Sequence, residues 1–268
     1  MLTADVRREE LKAVFEQARG CLRCPQLASA RQSVVFGAGH ADADLMFVGE
    51  APGANEDKQG LPFVGQAGKL LEQLLGEIGL RRSDVFIANV LKCRPPGNRD
   101  PLPGEIANCQ DYLYRQLELI RPKVVCTLGN FSTKLLRADP GTGITRLHGR
   151  DEIRTIGPLA VRLYPLYHPA AALYTRSLLE VLRADFARIP ELLALEPPPQ
   201  PEPVEAPAAV VAEPEELAEI ESAPAGERAA ERPEPGERAE PPSRAELPVP
   251  AELPARAARP GDEQLGLF

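Results

Sequence analysis

No apolar run in this 268-residue chain is long enough to cross a bilayer, which argues against a helical membrane span. The first residues, with Asp5, Arg7, Arg8, Glu9 and Glu10, lack the apolar core of a signal peptide. The expected compartment is therefore the reducing cytosol, where structural disulfides are rare. That directs the few cysteines, five in all, towards metal ligation or ordinary burial. Histidine is scarcer still at three, so imidazole chemistry has few candidates. No internal repeat is evident. Between Phe186 and Phe268 there is neither an aromatic residue nor a cysteine.

That last absence coincides with a change of composition. Up to Pro190 the chain has 25 Lys and Arg against 21 Asp and Glu, whereas from Glu191 onward it has 6 against 18. A mildly basic body suited to phosphates thus carries an acidic tail that phosphates would repel. Sixteen of the 29 prolines fall between Pro197 and Pro260. Such a segment cannot bury enough apolar surface to offset its ordering entropy. The expected organisation is a folded domain over 1–192, a disordered Pro/Glu/Ala-rich linker over 193–263, and a terminal peptide over 264–268.

Within the body, residues 5–20 read as an amphipathic helix ending at Gly20. Short apolar runs at 44–48, 85–90, 124–128 and 161–167 read as buried strands. Helical patterns follow at about 67–79, 104–120, 130–137 and 170–189. Strand–helix alternation of this kind implies an α/β protein, a three-layer α/β/α sandwich with a mainly parallel central sheet.

In an open α/β sheet, ligands sit beyond the carboxyl ends of the strands. The unusual residues gather at those ends. The first strand runs into Gly49-Glu50-Ala51-Pro52-Gly53, and the second ends on Asn89. The third meets Leu128-Gly129-Asn130, and the fourth reaches Tyr167-His168-Pro169. Each alone reads as a turn; together they suggest one crevice. Around it lie Cys21 and Cys24, a C-x2-C pair, and the more distant Cys93 and Cys109. Such thiolates suit a metal or an iron–sulfur centre. Zinc usually takes two short pairs, and the second pair here is too widely spaced for that pattern. Cys126, inside an apolar strand, reads as a buried residue.

The stretch from Gly49 to Asp57, continued by Gly60-Leu61-Pro62-Phe63-Val64-Gly65, resembles the first motif of family 4 uracil-DNA glycosylases. Asn89 to Arg99 is similar to that family's middle motif and His168-Pro169-Ala170 to its last, while the four cysteines match its cluster ligands in order. The resemblance covers about residues 10–190. It implies excision of uracil from DNA on an α/β/α fold, with a 4Fe–4S cluster on Cys21, Cys24, Cys93 and Cys109. It makes Phe63 the ring that stacks on a flipped base and Asn89 the amide that reads the uracil edge. His168 becomes the donor to the departing base, Glu50 a group that positions water or shapes the pocket, and Gly49 and Ala51 the backbone around the base. Glu56 and Asp57 are weaker candidates for water activation. The first motif of family 1 enzymes has an aspartate at the place that corresponds to Ala51, so water activation by an aspartate at that position is not expected here.

Lys92, Arg94 and Arg99 are candidate phosphate contacts. Leu173 and Tyr174 could wedge into the gap left by a flipped base, or could belong to a buried helix face. At the C-terminus Gln264, Leu265, Leu267 and Phe268 resemble the bacterial sliding-clamp-binding peptide. A flexible coil of this length would span roughly 45 Å and tether a monomeric enzyme near replicating DNA. Two other functions fit the same motifs: a protein that binds or crosslinks uracil-DNA without turnover, and a non-enzymatic iron–sulfur adaptor of replication. Relatives of the former kind carry a histidine-containing insertion after the middle motif; Arg94–Pro103 has no histidine.

Overall fold

Successive side chains of a strand leave on opposite faces, so strands that are apolar throughout need a cover on both sides. The computed structural model, which describes residues 3–201, has that arrangement. Its sheet contains β1 (Ala38–Gly39), β2 (Leu45–Gly49), β3 (Phe86–Asn89), β4 (Val124–Leu128), β5 (Glu152–Ile156) and β6 (Leu159–Leu166), in the order β1-β3-β2-β4-β6-β5. The four central strands are parallel, and the edge strands β1 and β5 run antiparallel to their neighbours. In β2, Met46 and Val48 face one core and Leu45 and Phe47 the other.

The first core is closed by α1 (Ala4–Arg19), α2 (Pro25–Ala30), α5 (Pro103–Ile120) and α6 (Asn130–Arg137), through Leu11, Val14, Leu27, Leu113, Leu117 and Leu136. The second is closed by α4 (Gln66–Glu77), α8 (Pro169–Tyr174), α9 (Arg176–Ala187) and α10 (Ile189–Ala194). Leu71, Leu74 and Leu75 of α4 and Leu182 and Phe186 of α9 supply much of it. The chain is thus an α/β/α sandwich with a mostly parallel sheet. Two short helices, α3 (Ala54–Gln59) and α7 (Ile144–Leu147), lie in the connections.

The structure departs from the sequence-based elements in a few places. The helix expected over 170–189 is two helices, because Thr175 is extended (φ −133°, ψ 102°) and caps the second. β5 is a half-exposed edge strand, joined to β6 through Gly157 at φ 58°, and has too few apolar residues to read as buried. The expected linker and terminal peptide fall mainly on residues 202–268, outside the described residues. Within them, α10 runs past residue 192, and the Gln200 amide bonds both the N–H and the carbonyl of Ala160 on β6, at 3.1 and 2.9 Å. No helix among the described residues is long and apolar enough to cross a membrane.

Candidate active site

The parallel register sets Gly49 directly beside Asn89 at the carboxyl ends of β2 and β3. Past that point the two chains stay paired, with Val90 and Leu91 N–H groups donating to the Gly49 and Glu50 carbonyls. A Cβ on residue 49 would lie 2.4 Å from Asn89 Oδ1 and 2.7 Å from the Phe63 ring. Only glycine lets the strand, the amide and the ring approach so closely. Above them opens a cleft of about 270 Å³ whose wall includes Glu50, Ala51, Glu56, Phe63, Asn89 and His168. Gly49 itself is not part of that wall.

Asn89 is buried, and its Oδ1 has no hydrogen-bond partner among the described residues. An unsatisfied buried acceptor costs about 1–3 kcal/mol and is a place for a ligand N–H. Phe63 is buried as well, yet its backbone is left-handed at φ 52°. Strain of that kind, about 1–3 kcal/mol, tends to gather at functional sites. Its ring stacks with the His168 imidazole, centroids 5.6 Å apart and planes 29° from parallel.

His168 caps α8. Its Nδ1 accepts the Ala170 N–H at 3.1 Å, so the proton of the neutral ring sits on Nε2. Burial pushes the imidazole down to about 4, the negative charge of Glu56 opposing that shift. The cleft therefore presents a neutral N–H donor at ordinary pH. Glu50 is displaced the other way: burial, helped by the charge of Asp100, raises its carboxyl to about 7.

Glu56 and Asp57 do structural work that the sequence did not reveal. Glu56 Oε1 accepts the Val64 and Gly65 N–H groups at 2.9 and 2.8 Å, fixing the loop that carries Phe63. Asp57 is buried and accepts the Gln32 and Ser33 N–H groups, and it is not part of the cleft wall. Pro95, Asn98 and Arg99 complete the wall from the loop after β3. Arg99 is held there in a two-pronged pair with Glu105, at 2.9 and 2.6 Å.

Lys92 is not the surface cation that its charge suggested. It is fully buried, and its Nζ donates to the Asn89 carbonyl at 2.8 Å and to Gln116 Oε1 at 2.6 Å. Burial lowers its ammonium to about 8, against the upward pull of Cys109 and Cys93. Leu173 and Tyr174 both stand exposed, Tyr174 at 89%.

None of the cysteines is in a disulfide. Cys21, Cys24, Cys93 and Cys109 share one neighbourhood: charge at Cys21 and Cys24 acts on Cys93, and charge at Cys93 and Cys21 acts on Cys109. Burial raises the Cys93 thiol, and it raises that of Cys109 to about 11. N–H groups converge on the sulfurs: Arg31 Nη1 lies 3.1 Å from Cys93, the Lys92 backbone 3.3 Å from Cys109, and Asn108 Nδ2 3.6 Å from Cys24. As the side chains stand, the described residues contain no group of three or more His, Cys, Asp or Glu that could hold a metal ion. An all-sulfur donor set with N–H groups aimed at it nevertheless fits an iron–sulfur centre by its chemistry. Cys126 is buried in β4, and desolvation pushes its thiol far up.

Residues 36–189 match the family model described as the uracil DNA glycosylase superfamily. A type-4 uracil-DNA glycosylase from Sulfurisphaera tokodaii is 47% identical over 188 residues, covering 69% of this chain and 85% of the relative. One from Archaeoglobus fulgidus is 46% identical over 194 residues, covering 71% and 96%. A type-5 uracil-DNA glycosylase from Pyrobaculum aerophilum is more distant, at 32% over 200 residues.

Proposed function

Since the chain belongs to the uracil DNA glycosylase superfamily, and within it to the type-4 enzymes, we propose that it hydrolyses the N-glycosidic bond of deoxyuridine in DNA. The products are free uracil and an abasic site, as in base-excision repair. The observation that carries this is the buried Asn89 Oδ1, which has no partner among the described residues and packs with the Phe63 ring around Gly49.

The reaction needs the nucleotide out of the duplex, which costs a few kcal/mol. Stacking on Phe63 returns about 1–3 kcal/mol of that. Asn89 Oδ1 accepts the uracil N3–H, and its Nδ2 donates to O4. Cytosine offers an acceptor at N3 and donors at N4, so it meets like with like on both atoms. As the C1′–N1 bond breaks, its electron pair moves onto the uracil ring, and the Nε2–H of His168 donates to O2 where the charge collects. Backbone N–H groups around Glu50 and Ala51 hold the base. Glu50 orients the water that attacks C1′ and takes its proton, a task suited to a carboxyl poised near neutrality.

Cys21, Cys24, Cys93 and Cys109 would hold a 4Fe–4S cluster. When bound, it braces the protein rather than carrying electrons, since glycosidic hydrolysis moves none. Unpaired thiols of this kind belong in a reducing compartment such as the cytosol. Folded domain, linker and terminal peptide form the proposed organisation, with Gln264, Leu265, Leu267 and Phe268 engaging a sliding clamp. Deleting 264–268 should abolish co-elution with the clamp and leave uracil release unchanged.

The central test is uracil release from a uracil-containing oligonucleotide by cluster-loaded protein. His168→Ala and Asn89→Ala should each lose on the order of a hundredfold or more, the loss expected for one aimed transition-state donor. Near-normal rates in both would move the site elsewhere. A single turnover without a second would favour a binding or crosslinking protein.

A further inference from the structure

Phe63 takes its place in the cleft against its own backbone preference. In the left-handed region the Cβ of an L-residue crowds the neighbouring carbonyl, and an aromatic side chain makes no local hydrogen bond to offset this. The peptide groups around it are tied on both sides. Glu56 takes the two N–H groups that follow, those of Val64 and Gly65. A single side chain takes the two carbonyls: Arg82 donates from Nη1 to the Phe63 carbonyl at 2.8 Å and from Nη2 to the Pro62 carbonyl.

The other contacts of this side chain support the same role. Arg82 Nη1 also meets Glu72 of α4 at 3.2 Å, which steadies the guanidinium from the helix side. Gly68, in the first turn of α4, packs so near that a Cβ there would stand 1.8 Å from the Phe63 oxygen. Helix and guanidinium thus close on one carbonyl. Arg82 is outside the cleft wall. It opens the 3-10 turn Arg82–Asp84, which leads straight into β3 and so to Asn89. Bridging two successive carbonyls needs two N–H vectors at a fixed separation; the planar guanidinium has them, and the ammonium of lysine does not.

The geometry points to Arg82 as a positioning residue for uracil excision, one that holds the Phe63 backbone in the left-handed conformation and so aims the ring at the flipped base. This rests on the reading of the cleft as a uracil site. DNA affinity comes mainly from phosphate contacts, whereas the chemical step depends on the geometry of the held base. Loss of Arg82 should therefore appear in the rate of release and not in general DNA binding.

A double-mutant cycle tests this, with single-turnover uracil release measured for wild type, Arg82→Met, Phe63→Ala and the pair. Arg82→Met should slow release by roughly ten- to a hundredfold, the scale of a misplaced reacting group. Its affinity for uracil-free DNA should stay within about twofold, since few phosphate contacts are touched. In the Phe63→Ala background the same change should cost less than about twofold, because two residues acting as one unit are not additive. An undiminished loss in that background, or no loss in the single variant, overturns the role. Arg82→Lys should recover only part of the rate, and full recovery would overturn the two-carbonyl fork. If Arg82→Met does not fold, the cycle runs on Arg82→Lys, which keeps the charge facing Glu72. A wild type that releases no uracil removes the uracil reading itself, whereas an active wild type with additive losses removes only Arg82.

Discussion

A neutral imidazole and a protonatable carboxyl face the same cleft, and their displacements give the pH response a definite shape. His168 is held at about 4 against an ordinary 6.5, and Glu50 at about 7 against 4.5. Protonating His168 would break the Ala170 N–H contact at Nδ1, so release should collapse as pH falls through about 4. Ionisation of Glu50 should add a rising limb near pH 7, and Glu50→Gln should flatten it. A single-turnover profile of both proteins checks this, and an unchanged limb in Glu50→Gln would remove Glu50 from the chemistry. Stability follows the same groups. The unfolded chain protonates His168 first, so the fold loses stability as pH drops from about 6.5 towards 4. The contribution of Glu50 is full below about 4.5 and is lost as pH rises through about 7.

At the level of the elements, the end of β2 is a tight point of the site. Gly49→Ala would push a methyl group into Asn89 Oδ1 and the Phe63 ring, both already packed. The expected outcome is at least a tenfold loss of uracil release, with a stability cost of about 1–3 kcal/mol for overpacking. Single-turnover release and urea unfolding measure the two, and normal release would mean the strand end is looser than described. The same region shows what a sequence can reveal. Apolar runs ending in Gly, Asn or His-Pro announce the parallel strands and the positions of Gly49, Asn89 and His168, because both signals are local. The left-handed backbone of Phe63 and the burial of Lys92 depend on partners distant in the chain, Arg82 for the first and Gln116 for the second. The loop-holding role of Glu56 depends on a loop that folds Val64 and Gly65 back onto it. β5 escaped notice because only two of its five residues are apolar and one of them, Ile153, is exposed, and the break at Thr175 because a lone threonine interrupts helices only weakly.

For the whole molecule, four cysteines from parts far apart in sequence share one neighbourhood. Cys21 and Cys24 lie between α1 and α2, Cys93 follows β3, and Cys109 is on α5. A centre on all four would staple the N-terminal helices to the strand that carries Asn89. Cys93→Ala should therefore lose the brown absorption of an iron–sulfur thiolate site and unfold at a lower temperature. Cys126→Ala should keep its colour, since that thiol is buried in β4. Undiminished colour in Cys93→Ala would sink the ligand assignment.

The borders of the sheet carry a last consequence. One ends in β1, only two residues long, and the other in β5, where Glu152 and Arg154 pair with each other at 3.1 Å along the rim. Neither offers a stranger's backbone a long, uncharged ladder to extend. Copies crowded together on a heavily deaminated stretch of DNA would thus find in these two rims no ready template for joining sheet to sheet.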